Sequence, residues 1–364
     1  MRVLVVNAGS SSLKLSVLDG EDTLAERLVE RWAGEDVSAV REVLADTGPV
    51  DAVGHRVVHG GPRYVQPVLL DDEVVREIQE LTVLAPLHQP RAVAGIRAVQ
   101  ALLPELPAVA CFDTTFHSEL PAAAATYALP REWNARWSLR RYGFHGLSHA
   151  HAVRRAAELV GRPLGALRIV SCHLGGGASL CAVVDGRSVD TTMGFTPLDG
   201  LVMATRSGSV DPGLLLWLQQ HGGIRAAELE QALAHRSGLA GLSGTSGDLR
   251  DVQERAAAGD EDAALTYDVY LHRLAREAAA MTAATGGLDL LVLTGGVGEH
   301  STSVRRDLAR RLAYLGVALH DEANERASGD ADITALDARV STVVVVARED
   351  LEVARGVREV LGRR

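Results

Sequence analysis

Short apolar runs and stretches of helical period alternate along the whole chain. The short runs end in small polar or glycine residues and are typical of strands, whereas the longer stretches repeat apolar residues with the period of a helix. Strands are predicted within Val3–Gly20, at Ala52–Val58, at Ala108–Phe112, within Ile169–Gly186, at residues 288–294 and at Val340–Ala347. Helices are predicted at Asp71–Leu84, at His149–Val160, over most of Pro212–Thr285, from near Ser301 and from about Asp350. This alternation indicates an α/β protein.

Two segments of the chain repeat one another. VLVVNAGSSSLKLSVLDG, residues 3–20, aligns without gaps on IVSCHLGGGASLCAVVDG, residues 169–186. Each copy predicts a strand, a small flexible turn, a second strand and an Asp-Gly turn, as in a β-hairpin that continues into a further strand. We therefore expect two related halves. Because no low-complexity linker separates them, we expect two domains that close on a shared cleft.

The composition is that of a globular protein. The 364 residues are 47% apolar and 23% charged, which is enough for about two domains. No apolar run reaches the roughly 20 residues of a membrane span, and the N-terminus lacks an export pattern, so we expect a cytoplasmic protein. The formal net charge of −10 argues against a nucleic-acid partner. Cys111, Cys172 and Cys181 lie in apolar runs without CxxC spacing, which predicts buried thiols.

Turns rich in glycine and serine offer the first candidate chemistry. Both copies of the repeat carry such a turn, and a third, TGGVGEH at Thr294–His300, lies between a predicted strand and a helix. Closely spaced backbone N–H groups in such turns can cradle phosphates. The Walker A and GxGxxG patterns are absent, and one such turn alone would indicate only a tight turn. Because three occur together, the sequence predicts nucleotide binding, with the third turn holding adenosine or phosphate at a helix N-terminus.

Isolated charged residues in apolar or glycine-rich surroundings form the second group of candidates. Arg56 lies at a predicted strand end and Arg206 in a loop of small residues, and guanidinium groups in such places bind carboxylate or phosphate bidentately. Asp113 and Glu349 each follow a strand and are carboxylates that can hold Mg²⁺ directly or through water. Lys14 is the only lysine among the 37 basic residues.

Seven short motifs give the chain a specific resemblance. They are VLVVNAGSSSLK, FDTTFH, YGFHGLSH, CHLGGGASL, TTMGFTPLDGL, TRSGSVDP and TGGVGE. In order and spacing, over nearly the whole chain, they resemble the acetate kinase family, the acetokinase branch of the actin-like, sugar-kinase and heat-shock ATPase superfamily. The resemblance implies an α/β fold of two actin-like (ribonuclease H-like) domains with a nucleotide cleft between them. It implies an N-terminal domain at residues 1–115 plus 351–364, and a C-terminal domain for nucleotide binding and dimerisation at residues 116–350.

The same resemblance implies an activity and its partners. The protein would transfer the γ-phosphate of ATP reversibly to acetate, giving acetyl phosphate and ADP, with Mg²⁺ or alternatively Mn²⁺. It would act as a homodimer, without a nucleic-acid or membrane partner. Val58 favours acetate, because a smaller residue there would leave room for another methylene group.

Residue roles carry over from the resemblance only where a motif matches. It implies catalytic roles for Arg56, Asp113, His145 and Arg206, substrate contacts at Arg56, Val58, Leu87, Phe144 and Pro197, and magnesium positions at Asn7 and Glu349. The implied nucleotide contacts are Lys14, His173, Leu174, Gly175, Gly176, Gly177, Asp248, Leu249, Arg250, Gly296, Val297, Gly298, Glu299 and His300. Because acetate is already ionised at neutral pH, Asp113 is interpreted as an orienting or metal-linked carboxylate rather than as a base.

Several positions depart from the family pattern and leave alternatives open. Gly176 stands where an Asn is usual, Leu147 replaces a Thr, Arg348 precedes Glu349 in place of an Asn, and His300 replaces an Asn. One alternative is a propionate or other short-chain carboxylate kinase, and another is a family member with pyrophosphate as donor. From a different class, the alternative is a nucleotide-switched actin-like binding protein.

Overall fold

The chain folds into two compact units. The computed structural model describes residues 1–9, 12–30, 32, 34, 36–86 and 88–362. Unit 1 comprises Met1–Ser118, Phe144–His151 and Arg348–Arg364, and unit 2 comprises Glu119–Gly143 and Ala152–Ala347. The units differ from the predicted domains chiefly at residues 144–151, which group with unit 1. There the Gly146 N–H donates to the Asp113 carbonyl at 2.8 Å, which ties this segment to the end of a strand of unit 1.

The strands and helices have the following bounds. The strands are β1 Arg2–Ala8, β2 Ser12–Asp19, β3 Asp22–Glu30, β4 Ala52–Val57, β5 Val68–Leu69, β6 Ala108–Phe112, β7 Ile169–Leu174, β8 Ala178–Val184, β9 Arg187–Thr191, β10 Leu290–Thr294, β11 Ala331–Asp332 and β12 Ser341–Val344. The helices are α1 Ser38–Thr47, α2 Asp72–Glu80, α3 Gln89–Leu102, α4 Ala122–Ala125, α5 Arg131–Trp137, α6 Gly146–Leu159, α7 Pro212–Gln220, α8 Ala226–His235, α9 Gly238–Ser243, α10 Leu249–Ala257, α11 Glu261–Thr285, α12 Gly295–His300, α13 Thr302–Arg311, α14 Asp321–Arg326 and α15 Glu349–Gly362.

The two units contain sheets of the same topology. In unit 1 the strand order is β3-β2-β1-β4-β6-β5, and in unit 2 it is β9-β8-β7-β10-β12-β11. In each sheet an antiparallel meander of three strands continues into parallel pairs, β1 with β4 and β4 with β6, or β7 with β10 and β10 with β12. The predicted duplication is thereby confirmed at the level of topology. The turns differ in length, because Ala8 pairs with Leu13 whereas Leu174 pairs with Ala178.

The third predicted glycine turn is a helix. Residues Gly295–His300 form α12, and the helix predicted from near Ser301 is the separate α13.

Two other predicted elements are shorter than expected. The helix at Asp71–Leu84 ends at Glu80 and continues as a 3₁₀ turn, and the strand at Val340–Ala347 covers only Ser341–Val344.

Both faces of the unit 1 sheet are covered by helices, which explains the nearly continuous apolar runs of β1 and β6. Leu4 and Val6 point into a core shared with α1, α2 and α3, whereas Val3 and Val5 point into a second core shared with α15. In unit 2 the long helix α11 packs against β7, β8 and β9. Among the helices of the described residues, none is both long and apolar enough to cross a membrane.

Glycines set the distance between α15 and the unit 1 sheet. A Cβ atom at Gly54 in β4 would lie 2.5 Å from Cγ1 of Val353 and 2.8 Å from Cγ2 of Val357. On the facing helix, a Cβ atom at Gly356 would lie 2.8 Å from Sγ of Cys111. The helix therefore packs directly on Gly54 of β4 and on the Cys111 side chain of β6, and this packing positions its first residue, Glu349, relative to the sheet.

We expect Gly54→Ala to destabilise unit 1 by about 1–3 kcal/mol, because overpacking a closed core costs this much. The measurement is the midpoint of urea unfolding. The matched control is Gly165→Ala, since a Cβ atom at Gly165 has no atom within 4 Å. An unchanged midpoint for Gly54→Ala would show that α15 is not held against the sheet as closely as the structure has it.

Candidate functional site

Polar side chains lie together at the carboxyl end of the parallel strands of unit 1. Asn7 of β1 pairs with Arg56 of β4, and Arg56 pairs with Cys111 of β6. Asp113 follows directly after β6, and Glu349 begins α15. Because neighbouring parallel strands end at one edge of the sheet, the topology brings these four predicted site residues into one cluster.

Arg56 lies at the centre of this cluster. Its Nε and Nη2 donate to the two carboxylate oxygens of Asp113 at 2.9 and 2.7 Å. Its Nη1 lies 2.9 Å from Oε2 of Glu349 and donates to Oδ1 of Asn7 at 3.3 Å. The Asn7 amide in turn donates to Oε2 of Glu349 at 3.3 Å. The cluster therefore contains one cation and two carboxylates.

Burial and charge oppose one another in this cluster. The Asp113 side chain is 2% exposed, and burial raises its pKa while the Arg56 charge lowers it. For Arg56, burial lowers the pKa, but the carboxylates of Asp113 and Glu349 outweigh this and raise it. Arg56 therefore stays charged between the two carboxyl groups.

The donor set of the cluster fits a hard divalent cation. Carboxylate and amide oxygens are the ligands that Mg²⁺ prefers, and Mg²⁺ in phosphoryl-transfer sites is held by one or two carboxylates together with substrate phosphates. Glu349 and Asn7 supply such oxygens. Across the described ranges, no group of three or more His, Cys, Asp and Glu residues is arranged to hold a metal.

His145 has a strained backbone beside this cluster. Its φ is +56°, in the left-handed region that a non-glycine residue rarely adopts, and it immediately precedes α6. The next residue, Gly146, must lack a side chain, because a Cβ atom there would lie 2.1 Å from the Asp113 carbonyl oxygen. Strain of this kind persists only where the surroundings enforce it, and it concentrates at functional sites.

The remaining predicted site residues of unit 1 differ in burial and in their contacts. Phe144 is buried, its carbonyl lies 3.1 Å from Nε2 of His117, and its ring meets that of His59 edge-on. Val58 is partly buried directly after β4. Lys14 pairs with Asn7 across the hairpin, and its Nζ lies 3.3 Å from Oε1 of Glu26. Leu87 lies outside the described residues.

Unit 2 contains a cavity of about 630 Å³. Much of its wall consists of segments with small side chains and accessible backbone, namely the Gly175 turn, the Ser246–Arg250 segment and α12. The first turn of α13 contributes Thr302 and Ser303. Asp248 caps α10 by accepting from the Arg250 N–H at 2.9 Å, and Ser301 caps α13 by accepting from the Val304 N–H. The cavity thus combines apolar walls with a helix N-terminus, which attracts anions.

The predicted nucleotide residues divide into two sets in unit 2. The cavity is lined by Gly175, Gly176, Asp248, Leu249, Arg250, Gly296, Val297 and His300. The residues that do not line it are His173, Leu174, Gly177, Gly298 and Glu299. Leu174 and Gly298 are buried beneath the wall, and Oε1 of Glu299 accepts from the Ala347 N–H at 3.0 Å. A Cβ atom at Gly176 has no neighbour within 4 Å, so space for a larger side chain is present where the family usually has Asn.

Arg206 of unit 2 is a partly buried cation with neutral partners. Its Nη1 donates to the Pro197 carbonyl at 2.9 Å and lies 3.6 Å from Sδ of Met203. Among the residues that the structure describes, no carboxylate forms an ion pair with Arg206, and burial lowers its pKa. A cation in this condition is a candidate binding site for an anion.

Several cavity residues were not predicted from the sequence. They are Met203, Ala204, Leu239, Ser246, Gly247, Gln253, Tyr270, Ser301, Thr302 and Ser303. The small polar run SGTSG before Asp248 was a local signal for Ser246 and Gly247. Gln253 and Tyr270 lie in the middle of α10 and α11, where a helical pattern gives no indication of a cavity.

The chain is similar over almost its full length to known proteins. A family model described as "Acetokinase family" matches residues 38–355. A protein of Carboxydothermus hydrogenoformans named acetate kinase is 40% identical over 99% of both chains. A Porphyromonas gingivalis acetate kinase structure superposes with a TM-score of 0.90 at 34% identity, covering 99% of both chains. A propionate kinase structure from Francisella tularensis also reaches 0.90 at 34% identity, covering 98% of both. On this similarity, the chain belongs to the acetokinase family.

Proposed function

We propose that the chain is an acetate kinase, which transfers the γ-phosphate of ATP reversibly to acetate and so forms acetyl phosphate and ADP. The relatives named acetate kinase support the reaction. The observation in the structure that carries the proposal is Arg206, a partly buried guanidinium for which the described chain supplies no carboxylate. Phosphoryl transfer needs such cations around the equatorial oxygens of the transferred group.

The unit 2 cavity suits a nucleoside as part of the phosphoryl donor. Met203, Leu239, Val297 and Tyr270 give it apolar walls that pyrophosphate could not use, whereas a nucleoside can pack against them. The glycine turn at Gly175 and the first turn of α13 offer backbone N–H groups for phosphate oxygens. Donation by ATP is therefore favoured over donation by pyrophosphate.

In the proposed reaction an acetate oxygen forms a bond to the γ-phosphorus while the bond from phosphorus to the βγ-bridging oxygen breaks. The electron pair of that bond leaves with ADP, and no proton is transferred. Arg206 and His145 would stabilise the charge on the transferred group. The two-point contact of Asp113 with Arg56 supports the interpretation that Asp113 orients Arg56 rather than acting as a base. Arg56, oriented in this way, would hold the substrate carboxylate.

Asn7 and Glu349 are the residues that would hold Mg²⁺, or alternatively Mn²⁺. When bound, such an ion neutralises phosphate charge during phosphoryl transfer. The residues of the chain would bind and orient it through the Glu349 carboxylate and the Asn7 amide oxygen.

Propionate is the alternative acceptor. The structural similarity to a propionate kinase shows that this backbone also occurs in a protein named for the larger acid. The side chain at position 58 would decide between the two acids, because a valine there occupies the volume of the additional methylene group.

A homodimer remains part of the proposal. Exposed apolar side chains of unit 2 support it, since large apolar groups on a surface commonly mark a protein interface. Leu216 and Trp217 of α7 are 54% and 55% exposed, and Trp133 and Trp137 of α5 are 47% and 51% exposed.

Arg206→Ala should lower kcat for acetyl phosphate formation by roughly 10²–10³-fold, because it removes a charge that stabilises the transition state. The measurement is hydroxamate detection of the acyl phosphate, with acetate or propionate as acceptor and ATP or pyrophosphate as donor. Arg187→Ala is the control, since this arginine of unit 2 is 73% exposed. A wild-type protein that binds ATP but forms no acyl phosphate would instead support the nucleotide-switched binding protein.

Glu349→Gln should raise the half-saturating Mg²⁺ concentration by about tenfold, because it removes one anionic ligand. Initial rates over a Mg²⁺ titration give this value, and chelation by EDTA should stop the wild-type reaction until Mg²⁺ is restored. Glu359→Gln changes an exposed carboxylate on the same helix and serves as the control. An unchanged Mg²⁺ dependence would exclude Glu349 as a metal ligand.

Val58→Ala should raise the ratio of kcat/KM for propionate over that for acetate by about tenfold, the discrimination that one methylene group commonly provides. The two acids are compared with saturating ATP. Val65→Ala, at an exposed valine of the same unit, is the control. If both acids change in parallel, Val58 does not line the acceptor pocket.

A further inference from the structure

A fully buried arginine stands behind the wall of the unit 2 cavity. Arg305 of α13 is 1% exposed, and among the described residues it is the largest fully buried side chain. Within the described ranges it has no carboxylate partner, and all its hydrogen bonds go to neutral oxygens. A side chain buried to this extent cannot contact a ligand. Its role therefore depends on the backbone and side-chain groups to which it donates hydrogen bonds.

Arg305 binds the end of α12. Its Nη1 donates to the carbonyls of Gly298 and Glu299 at 3.1 and 2.6 Å. These belong to the last turn of α12, whose carbonyls have no partner within the helix. The guanidinium therefore pairs the last carbonyls of a helix that contributes Gly296, Val297 and His300 to the cavity.

Arg305 also binds Asn324, and Asn324 binds a second part of the cavity wall. The Arg305 Nε donates to Oδ1 of Asn324 and its Nη2 to the Asn324 carbonyl, each at 2.6 Å. The Asn324 amide, itself fully buried, donates to the Thr302 carbonyl at 3.1 Å. Thr302 opens α13 and lines the cavity. The pair thus connects both wall segments, residues 295–300 and 301–303, to α14.

The glycines of α12 explain why this helix needs external support. Gly295 has a φ of +76°, and a Cβ atom there would lie 2.7 Å from the Leu174 carbonyl oxygen. A Cβ atom at Gly298 would lie 3.2 Å from the carbonyl carbon of Leu293. Close packing on β7 and β10 thus requires glycine at two of the three glycine positions of α12. Glycine is among the weakest helix formers, so these positions lower the intrinsic stability of the helix. The helical conformation of α12 therefore depends on contacts with the rest of unit 2.

We propose that Arg305 and Asn324 are positioning residues of the nucleotide pocket, which hold α12 and the start of α13 in the geometry that binds ATP. The inference rests on the proposed function, in which this cavity binds the nucleotide. Its distinguishing consequence is a change in nucleotide affinity with little change in acetate affinity, whereas a residue that only supports folding would change neither.

The test compares Arg305→Lys with Arg306→Lys. Lysine keeps the charge of Arg305 but cannot reach all four oxygens, whereas Arg306 is the adjacent residue of α13 and joins Glu325 of α14 at the surface. By isothermal titration calorimetry, Arg305→Lys should raise the Kd for ATP by about tenfold or more, because displacement of a positioned group is costly. The KM of Arg305→Lys for acetate should stay within about twofold of wild type. For Arg306→Lys, the Kd for ATP and the KM for acetate should both stay within about twofold.

Asn324→Asp keeps the test decisive if Arg305→Lys does not fold. The new carboxylate pairs with the buried guanidinium and preserves its burial, but the amide donor to Thr302 is lost. We expect weaker ATP binding at an unfolding midpoint close to that of wild type. If the folded variants bind ATP with wild-type affinity, the inference is wrong, but the proposed function is unaffected. A wild-type protein that binds no ATP would overturn the proposed function, and the inference with it.

Discussion

The bidentate ion pair between Arg56 and Asp113 is the interaction on which the polar cluster of unit 1 depends. Withdrawing two charges from water costs several kcal/mol per ion, and only good geometry offsets this cost. The parallel pairing of β4 with β6 provides that geometry, because Arg56 and Asp113 leave neighbouring strands at the same edge. With Nε and Nη2 fixed, Arg56 presents Nη1 to Asn7 and Glu349 in one orientation.

Unit 2 uses the same strand order for a different kind of site. The strand ends that carry Asn7 and Arg56 in unit 1 correspond to the ends of β7 and β10, which are followed by Gly175 and Gly295. Side-chain charge is thus replaced by accessible backbone, which suits a ligand that is both large and polyanionic. One sheet topology therefore carries two different sets of candidate site residues, and the difference lies in a few residues at the ends of the strands and directly after them.

The sequence predicts most reliably what short-range pattern determines. The strand at Ala108–Phe112 was predicted correctly because all its residues are buried, which gives a continuous apolar run. The pairing of Arg56 with Asp113 was not predicted, because it depends on the parallel pairing of β4 with β6, which are distant in the sequence. The helix at Gly295–His300 could not be predicted, because its glycines oppose a helix and its support comes from Arg305. Gln253 and Tyr270 reach the cavity from the middle of two helices, which only tertiary packing determines.

Arg206 and Arg305 illustrate why residue type alone does not assign a role. Both are arginines of unit 2 without a carboxylate partner in the described ranges, and burial lowers the pKa of both. Arg305 directs its guanidinium at four oxygens of the chain and is thereby saturated. The hydrogen bonds of Arg206 to described residues use Nη1 alone, although a guanidinium has five N–H donors. Arg305 therefore needs no further partner, whereas Arg206 has N–H donors left for an anion, and this difference agrees with the proposed role of Arg206 at the transferred phosphoryl group.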